Sequence, residues 1–364
     1  MEKEFKIKYI GDASFLLGMK LDQTNSGIIL HQSQYIQRKL VEFDAVDLPP
    51  SSCPLDPKVR LHQASLSEQQ QFRALNINYR ALIGSLKYLS ILTQPDISYP
   101  ISKLSQYLEN PGMPHFTAAM QVFCYLKGTM FWGLHFRKQD SFNLQAYINA
   151  DWANCPNAWR SHTGFMVLRN SHLISWKSAK QATVSLSSTK AKYKSLADAC
   201  KDVVWIQNLS SEILTNPSAT PALVQVDNRG AIDLALSQVS QNGFRTKHMD
   251  LCLQFIQDLI AQKILKISFI PRHKNSADFL TKPVGCTSIH RAISQFVTNA
   301  PILAALCSQA PSMSACQDPV PGATNVADAF MHALRDELRS DKQGINFPGT
   351  ALGPDHLDGQ DQAK

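Results

Sequence analysis

Four short polar segments, each at the end of an apolar run, constrain this chain more than any other feature. They are YINADWAN (147–154), SLSSTKAKY (185–193), VQVDN (224–228) and SADFLTKP (276–283). Polar residues that follow buried strands gather at one edge of a sheet, where their oxygens can hold two hard divalent cations. The segments therefore predict a mixed sheet flanked by helices, with a polar site at the edge of that sheet.

The pattern of apolar residues between positions 144 and 270 supports such a sheet. Three short β-rich runs come first, and a long amphipathic helix that begins at Ser188 or Thr189 follows them. The predicted strands are 144–150, 164–170, 172–178, 222–227 and 265–270, and the predicted helices are 188–214, 228–237 and 249–262. The order βββαβαα with one late strand is typical of an α+β or α/β domain with a mixed sheet.

The part of the chain before residue 140 predicts a smaller and mostly helical region that opens with a β-hairpin. Alternating residues over 5–30 surround an Asn/Gly-type turn at 23–27. A proline-rich stretch at 48–57 predicts an irregular connector, because proline removes a backbone donor and fixes φ. Helices are predicted over 33–43, 78–93 and 117–129.

These patterns divide the chain into three parts. The first is the small helical region, residues 1–140, and the second is the mixed-sheet domain, residues 141–285. The third is a tail, residues 286–364, that we expect to be partly helical and then largely disordered. Its later part is rich in Pro, Gly, Ala, Ser, Asp and Gln, which cannot bury enough apolar surface to fold.

Charge and hydropathy limit the possible partners and location. The net charge is +7, and residues 301–364 hold four basic and eight acidic residues, which leaves +11 on residues 1–300. A basic body suits a polyanionic partner such as nucleic acid. No apolar run reaches the roughly 18 residues that span a bilayer, and the N-terminus lacks an apolar signal core. We expect an intracellular protein of the cytoplasm or nucleus that is neither secreted nor membrane-bound.

Further motifs surround the four segments in a fixed order. Together they are FLLGMKL (15–21), YRALIGSLKYLSILTQPDISYPISKLSQYL (79–108), CYLKGT (124–129), YINADWAN (147–154), RSHTGFMV (160–167), ISWKSAKQATVSLSSTKAKY (174–193), VDNRGAI (226–232), RTKHMDL (245–251) and IPRHKNSADFLTKP (270–283). Over about residues 5–285 the chain thus resembles the C-terminal part of the Pol polyprotein of copia-type LTR retrotransposons. The resemblance implies a remnant of the reverse transcriptase thumb and connection region at 1–140 and a ribonuclease H-like domain at 141–285.

The resemblance also implies a reaction, the hydrolysis of RNA in RNA–DNA hybrids with Mg²⁺ or Mn²⁺ as cofactor. The family's metal-binding acids fall on Asn149, Lys190, Asp227 and Asp278. His273 lies where related retroviral ribonucleases H carry a mobile histidine that assists proton transfer or product release, although a solvated loop histidine is the alternative. The polymerase motif of a tyrosine followed by two aspartates occurs nowhere in the chain, so we expect no polymerase activity.

Two of the four acid positions depart from the family pattern, with Asn149 in place of Asp and Lys190 in place of Glu. The formal charge of these positions changes from −4 to −1. An amide brings no charge, and an ammonium group repels Mg²⁺ and can pair with Asp227 or Asp278 instead. A second family Glu is replaced by Lys192. The substitutions therefore predict a metal site that is strongly impaired.

Three hypotheses follow from these departures. The first, which the substitutions favour, is a relic that is catalytically dead or nearly so. The second is a weakly active ribonuclease H in which Asp151, on the same strand face as Asn149, serves as a substitute ligand. The third is a non-catalytic module that binds an RNA–DNA hybrid or another nucleic acid, to which Lys177 and Lys180 can contribute phosphate contacts.

Overall fold

Both the N-terminal hairpin with its helices and the mixed sheet that follows are present in the computed structural model of this chain. The structure describes residues 11–25, 27–138, 143–155, 158–213, 220–237 and 247–299, with only the backbone at 247–250. All of them belong to one compact unit, Met1–Asp318. The predictions for residues 5–10 and for the tail from residue 300 onward lie outside the described ranges.

The strands and helices follow the predicted order, with two additional helices in the first region and an additional strand at 297–299. The strands are β1 (Phe15–Leu16), β2 (Met19–Thr24), β3 (Gly27–His31), β4 (Trp132–Arg137), β5 (Leu144–Asp151), β6 (His162–Arg169), β7 (His172–Lys180), β8 (Ala222–Val226), β9 (Leu265–Phe269) and β10 (Val297–Asn299). The helices are α1 (Ser33–Glu42), α2 (Leu66–Ala74), α3 (Tyr79–Leu92), α4 (Ser98–Leu104), α5 (Met113–Gly128), α6 (Ser188–Ile213), α7 (Arg229–Leu236), α8 (Lys247–Ala261) and α9 (Cys286–Ile293).

The first sheet has the strand order β1-β2-β3-β4-β10, and every neighbouring pair in it is antiparallel. Strands β2 and β3 form the predicted hairpin, in which Leu21 lies opposite Leu30. Strand β10 comes from the far end of the described chain and pairs with β4. The beginning and the end of the described chain are therefore held in one sheet.

The second sheet has the order β7-β6-β5-β8-β9 and is mixed, as predicted. Strands β5, β6 and β7 form an antiparallel meander, whereas β5, β8 and β9 run parallel. One face of the sheet packs against α6, α7 and α8. The buried side chains of that core include Ile148, Phe165, Tyr193, Leu196, Val203, Val224, Val226 and Ile256. Strand β5 is the central strand, so the residues at its end are surrounded by protein on most sides.

The opposite face of the mixed sheet packs against elements from both ends of the described chain. Its core combines Met166 and Leu168 of β6 with Leu134 of β4 and Ile289 of α9. The Trp176 indole also donates hydrogen bonds of 2.9 and 3.1 Å to the backbone of Ser90 and the hydroxyl of Ser98. The first region and the mixed-sheet domain thus share a core, and their exact boundaries stay a prediction. Among the helices in the described ranges, none has the length and apolar character to cross a bilayer.

Candidate functional site

Three of the four predicted acid positions meet at the end of the central strand. Asn149 lies near the end of β5, and Asp227 directly follows β8. These two strands run parallel with Ile148 opposite Val226, so their carboxyl ends reach the same edge of the sheet. Asp278 begins a short 3₁₀ turn that packs beside this edge. The fold therefore brings Asn149, Asp227 and Asp278 together.

The Asn149 side chain is buried, and protein partners occupy its amide completely. Its Nδ2 donates to an Asp278 carboxylate oxygen and, at 3.2 Å, to the Thr281 hydroxyl. Its Oδ1 accepts from the Ala150 backbone at 2.8 Å and from Lys192 Nζ at 2.9 Å. The amide oxygen, which is the atom that could bind a metal ion, already faces an ammonium group.

Lys192 is the central cation of the site. It lies on α6, and its Nζ also donates to Asp227 Oδ1 in an ion pair. The two side chains are only 13% and 2% exposed, so little water screens this pair. One ammonium group thus bridges two of the family's acid positions.

Lys190, the position that the sequence analysis assigned to the replaced Glu, lies in the first turn of α6. Its backbone N–H donates at 3.2 Å to Ser187, which therefore caps this helix rather than Ser188 or Thr189. Residues two apart on a helix differ in direction by about 200°, so Lys190 and Lys192 cannot both face the same partner. The contacts with Asn149 and Asp227 are made by Lys192.

Asp278 carries a second ion pair. Lys282 Nζ lies 2.9 Å from Asp278 Oδ2, and these side chains are 23% and 28% exposed. Sequence reasoning did not single out Lys282, which lies just after the short 3₁₀ turn that begins at Asp278 rather than on a helix. Each of the two remaining carboxylates therefore has its own lysine.

Three further contacts fix the end of β5, and sequence reasoning missed all of them. Ser195 Oγ donates to the Asn149 carbonyl at 2.8 Å, and Asn275 Nδ2 donates to the Ile148 carbonyl at 2.9 Å. Gly164 lies opposite Asn149 in β6, where a Cβ atom would come within 2.5 Å of the Thr281 side chain. A side chain at position 164 would push Thr281 away from Asn149, so glycine is required by this close approach.

Asp151, the predicted substitute ligand, lies two residues after Asn149 on the same face of β5 but has other neighbours. Its carboxylate accepts from Asn154 Nδ2 and lines a separate cavity that also contains Arg60. Burial raises the pKa of Asp151, an effect that Lys282 and the Asn154 hydrogen bond oppose. A carboxyl group in this setting holds its proton more readily than an exposed one does.

The remaining predicted residues lie away from the three-residue cluster or have protein partners. His273 is exposed on a short turn that borders a cavity shared with Asp278. Lys177 donates to Asp198 at 3.0 Å, and Lys180 donates to Gln106 Oε1 at 3.0 Å. Their roles in proton transfer and in phosphate binding stay predictions.

The arrangement does not fit a two-metal centre. Asn149 Oδ1 and the Asp227 carboxylate are both bound to the same ammonium group, and Asp278 is bound to Lys282. Within the part of the chain that the structure describes, no three His, Cys, Asp or Glu side chains come together in a group that could hold a metal ion. Hard divalent cations need several oxygen ligands of net negative charge, whereas each of the two carboxylates in this site is paired with a lysine.

The five-stranded mixed sheet, the flanking helices and the polar cluster at the end of the central strand define a ribonuclease H-like domain. The chain is also similar to several known proteins. The chain is 32% identical over 286 residues to the retrovirus-related Pol polyprotein from transposon RE2 of Arabidopsis thaliana, which covers 78% of this chain and 19% of that protein. It is 33% identical over 205 residues to the uncharacterized mitochondrial protein AtMg00810 of the same plant, covering 56% and 83%.

The chain belongs to the family of Pol polyproteins of copia-type retrotransposons, as its motifs predicted. It spans about a fifth of the length of the Pol polyproteins that it matches. Among solved structures, the N-terminal RNase H domain of Rv2228c from Mycobacterium tuberculosis is 17% identical, with 42% of this chain and 98% of that one covered at a TM-score of 0.28. No protein-family model matches the chain.

Proposed function

We propose that this chain is a Pol-derived ribonuclease H-like module that binds nucleic acid and has lost the metal-dependent hydrolysis of RNA in RNA–DNA hybrids. A single observation carries the proposal: Lys192 Nζ contacts both Asn149 Oδ1 and the Asp227 carboxylate. The ammonium group occupies the oxygen atoms that a divalent cation would need. This supports the first hypothesis, a relic without catalytic activity, and combines it with the third, a module that binds nucleic acid.

The electrostatics of the site support the loss of Mg²⁺ or Mn²⁺ binding. Two carboxylates, Asp227 and Asp278, face two ammonium groups, Lys192 and Lys282, so these four side chains sum to no net charge. Two-metal hydrolysis depends on ions that activate water and stabilise the leaving oxygen. Without net negative charge, the site cannot offset the repulsion between two divalent ions.

Nucleic-acid binding is supported by the charge of the folded part and by the family. The +11 net charge on residues 1–300 favours a polyanion whether or not the strand is cut. Family membership makes an RNA–DNA hybrid the first partner to test. Cleavage and binding are separable, because phosphate contacts position a strand without taking part in hydrolysis.

A cleavage assay with a labelled RNA–DNA hybrid and either Mg²⁺ or Mn²⁺ tests this proposal. We expect the natural chain to cut no more than its Asp227→Asn variant. The double variant Asn149→Asp/Lys192→Glu should gain metal-dependent cutting and a rise in melting temperature on metal addition. The matched control Asn149→Asp/Lys190→Glu makes the same charge change on the same helix, and we expect it to gain neither.

Two results would contradict the proposal. Cutting by the natural chain that Asp227→Asn abolishes would show that the metal site still works. Cutting that Asp151→Asn abolishes would favour the alternative in which Asp151 replaces a lost ligand. The Asn154 hydrogen bond and the burial of Asp151 argue against that alternative.

A further inference from the structure

A second polar region lies beside the candidate site, in a cavity of about 330 Å³. The connector between α1 and α2, helix α4, the end of β5 and the turn after the 3₁₀ segment all contribute to its wall. The side chains that matter for its chemistry are Arg60, Tyr99, Lys103, Asp151, Asn154 and Lys282. The cavity is therefore built by both regions of the chain, and no sequence motif by itself marks it.

Positive charge in this cavity exceeds negative charge. Three of the named side chains are cations, and among the described residues Asp151 is the one carboxylate that lines the cavity. Lys282 already pairs with Asp278, whereas Arg60 uses one donor on the Pro57 carbonyl at 2.9 Å. The Asp151 carboxylate accepts from Asn154. Internal partners thus leave most of the guanidinium donors of Arg60 available to a ligand.

Among these cations, Lys103 most directly indicates that the cavity binds an anion. It is half-buried, and among the residues that the structure describes it makes no hydrogen bond or ion pair. Burial lowers the pKa of Lys103, and the nearby Lys180 and Arg60 lower it further, whereas Cys155 and Asp151 oppose this shift. An ammonium group in such a place is stabilised when an external anion neutralises it.

The positive region continues beyond the cavity itself. A smaller adjoining pocket shares Tyr99, Lys103 and Asn154 with it and adds Arg160 and Lys180. Arg60 is exposed at the surface, so the larger cavity is open to a bulky ligand. Guanidinium and ammonium groups arranged around a half-open cavity match the charge and the several acceptor oxygens of a phosphate group.

We propose that this cavity binds a backbone phosphate of a nucleic-acid strand, with Arg60 and Lys103 as its principal cations. The inference extends the proposed function by giving it a specific phosphate site. It rests on the proposed function for the choice of an RNA–DNA hybrid as the strand. Asp151 and Lys282 line the cavity, and Lys282 also pairs with Asp278 of the candidate site. A strand that crosses that site would therefore place a neighbouring phosphate in the cavity.

Fluorescence anisotropy with the full chain and labelled oligonucleotides tests the inference, with an RNA–DNA hybrid and a single-stranded DNA as probes. The double variant Arg60→Gln/Lys103→Gln should bind the hybrid at least about tenfold more weakly and show a salt dependence reduced by roughly one to two phosphate contacts. The matched control Arg73→Gln/Lys266→Gln loses the same two charges outside the cavity and should change affinity by less than about twofold. Thermal melting of each variant verifies that it is folded.

Asp151→Asn provides an independent test with the opposite sign. It removes the negative charge from the cavity wall, so we expect tighter binding of the hybrid. Weaker binding by Asp151→Asn, or equal binding by the cavity double variant and its control, would overturn the inference.

A second arm separates a strand from a free phosphate. Inorganic phosphate is titrated against the natural chain and the cavity double variant by calorimetry. If only inorganic phosphate binding depends on Arg60 and Lys103, the nucleic-acid strand is the wrong ligand and the proposal fails. Cleavage of the hybrid is measured in the same samples. Cutting by the natural chain would contradict the proposed function, but it would not change the difference in affinity between the cavity double variant and its control.

Discussion

Two half-buried lysines in neighbouring regions of this molecule have opposite surroundings. Lys192, at the end of the central strand, bridges Asn149 and the Asp227 carboxylate. Lys103, in the adjacent cavity, makes no ion pair within the described ranges. The first lysine closes a site that would otherwise attract cations, and the second leaves a site open to anions. Under the proposed function, internal ion pairs take the place of metal binding at the first site, and the second site is suited to phosphate.

Removing the internal ion pair should have the largest effect on stability. Lys192→Met leaves the Asp227 carboxylate, only 2% exposed, without its cation. Loss of one partner of a buried pair costs about 3–5 kcal/mol, and urea unfolding followed by circular dichroism measures the change. Lys190→Met, the matched control on the same helix, should lower the free energy of unfolding by less than half as much. Equal losses in the two variants would show that Lys192 has no special role.

Another buried carboxyl group, Asp96, sharpens the comparison because no lysine in the described ranges pairs with it. Asp96 is buried and accepts from the Tyr125 hydroxyl, and burial raises its pKa to about 6. Between pH 4 and 6 the folded state holds a proton that the unfolded state has lost. This contribution to stability is therefore fully present below pH 4 and is lost as the pH rises through 6.

Asp96→Asn should remove that pH dependence. The difference in the free energy of unfolding between variant and natural chain should shift by up to about 3 kcal/mol between pH 4 and 7, with the variant gaining relative stability at the higher pH. Urea unfolding across this range measures it, and taking the difference cancels most other titrating groups. A difference that stays constant with pH would mean that Asp96 is ionised throughout.

Much of the fold followed from local patterns. The β-hairpin, helices α1, α3 and α6, and the individual strands of the mixed sheet all follow from residues that are near neighbours in the sequence. The meeting of Asn149, Asp227 and Asp278 also followed, because parallel strands end at the same edge of a sheet. Periodicity and topology are sufficient for features of this kind.

The side-chain contacts that decide the chemistry could not be predicted from the sequence. Family motifs marked both Lys190 and Lys192 as replaced acids, but the rotation of α6 about its axis determines which of them reaches Asp227. The cavity depends on Arg60 and Lys103, which tertiary contacts bring beside Asp151. Such long-range placements carry no local sequence pattern, because packing between distant segments sets them.

The smallest stability effect should come from the second lysine, and it is the most direct test of the comparison. Lys103→Met keeps an unbranched side chain of similar length and removes an ammonium group whose pKa burial lowers. Because the fold holds that charge less favourably than water does, we expect the free energy of unfolding to stay within about 0.5 kcal/mol of the natural value or to rise. The same denaturation experiment applies, with Lys192→Met as the contrasting variant. A loss of about 2 kcal/mol or more would mean that Lys103 has a stabilising internal partner, and the distinction between a closed site and an open one would fail.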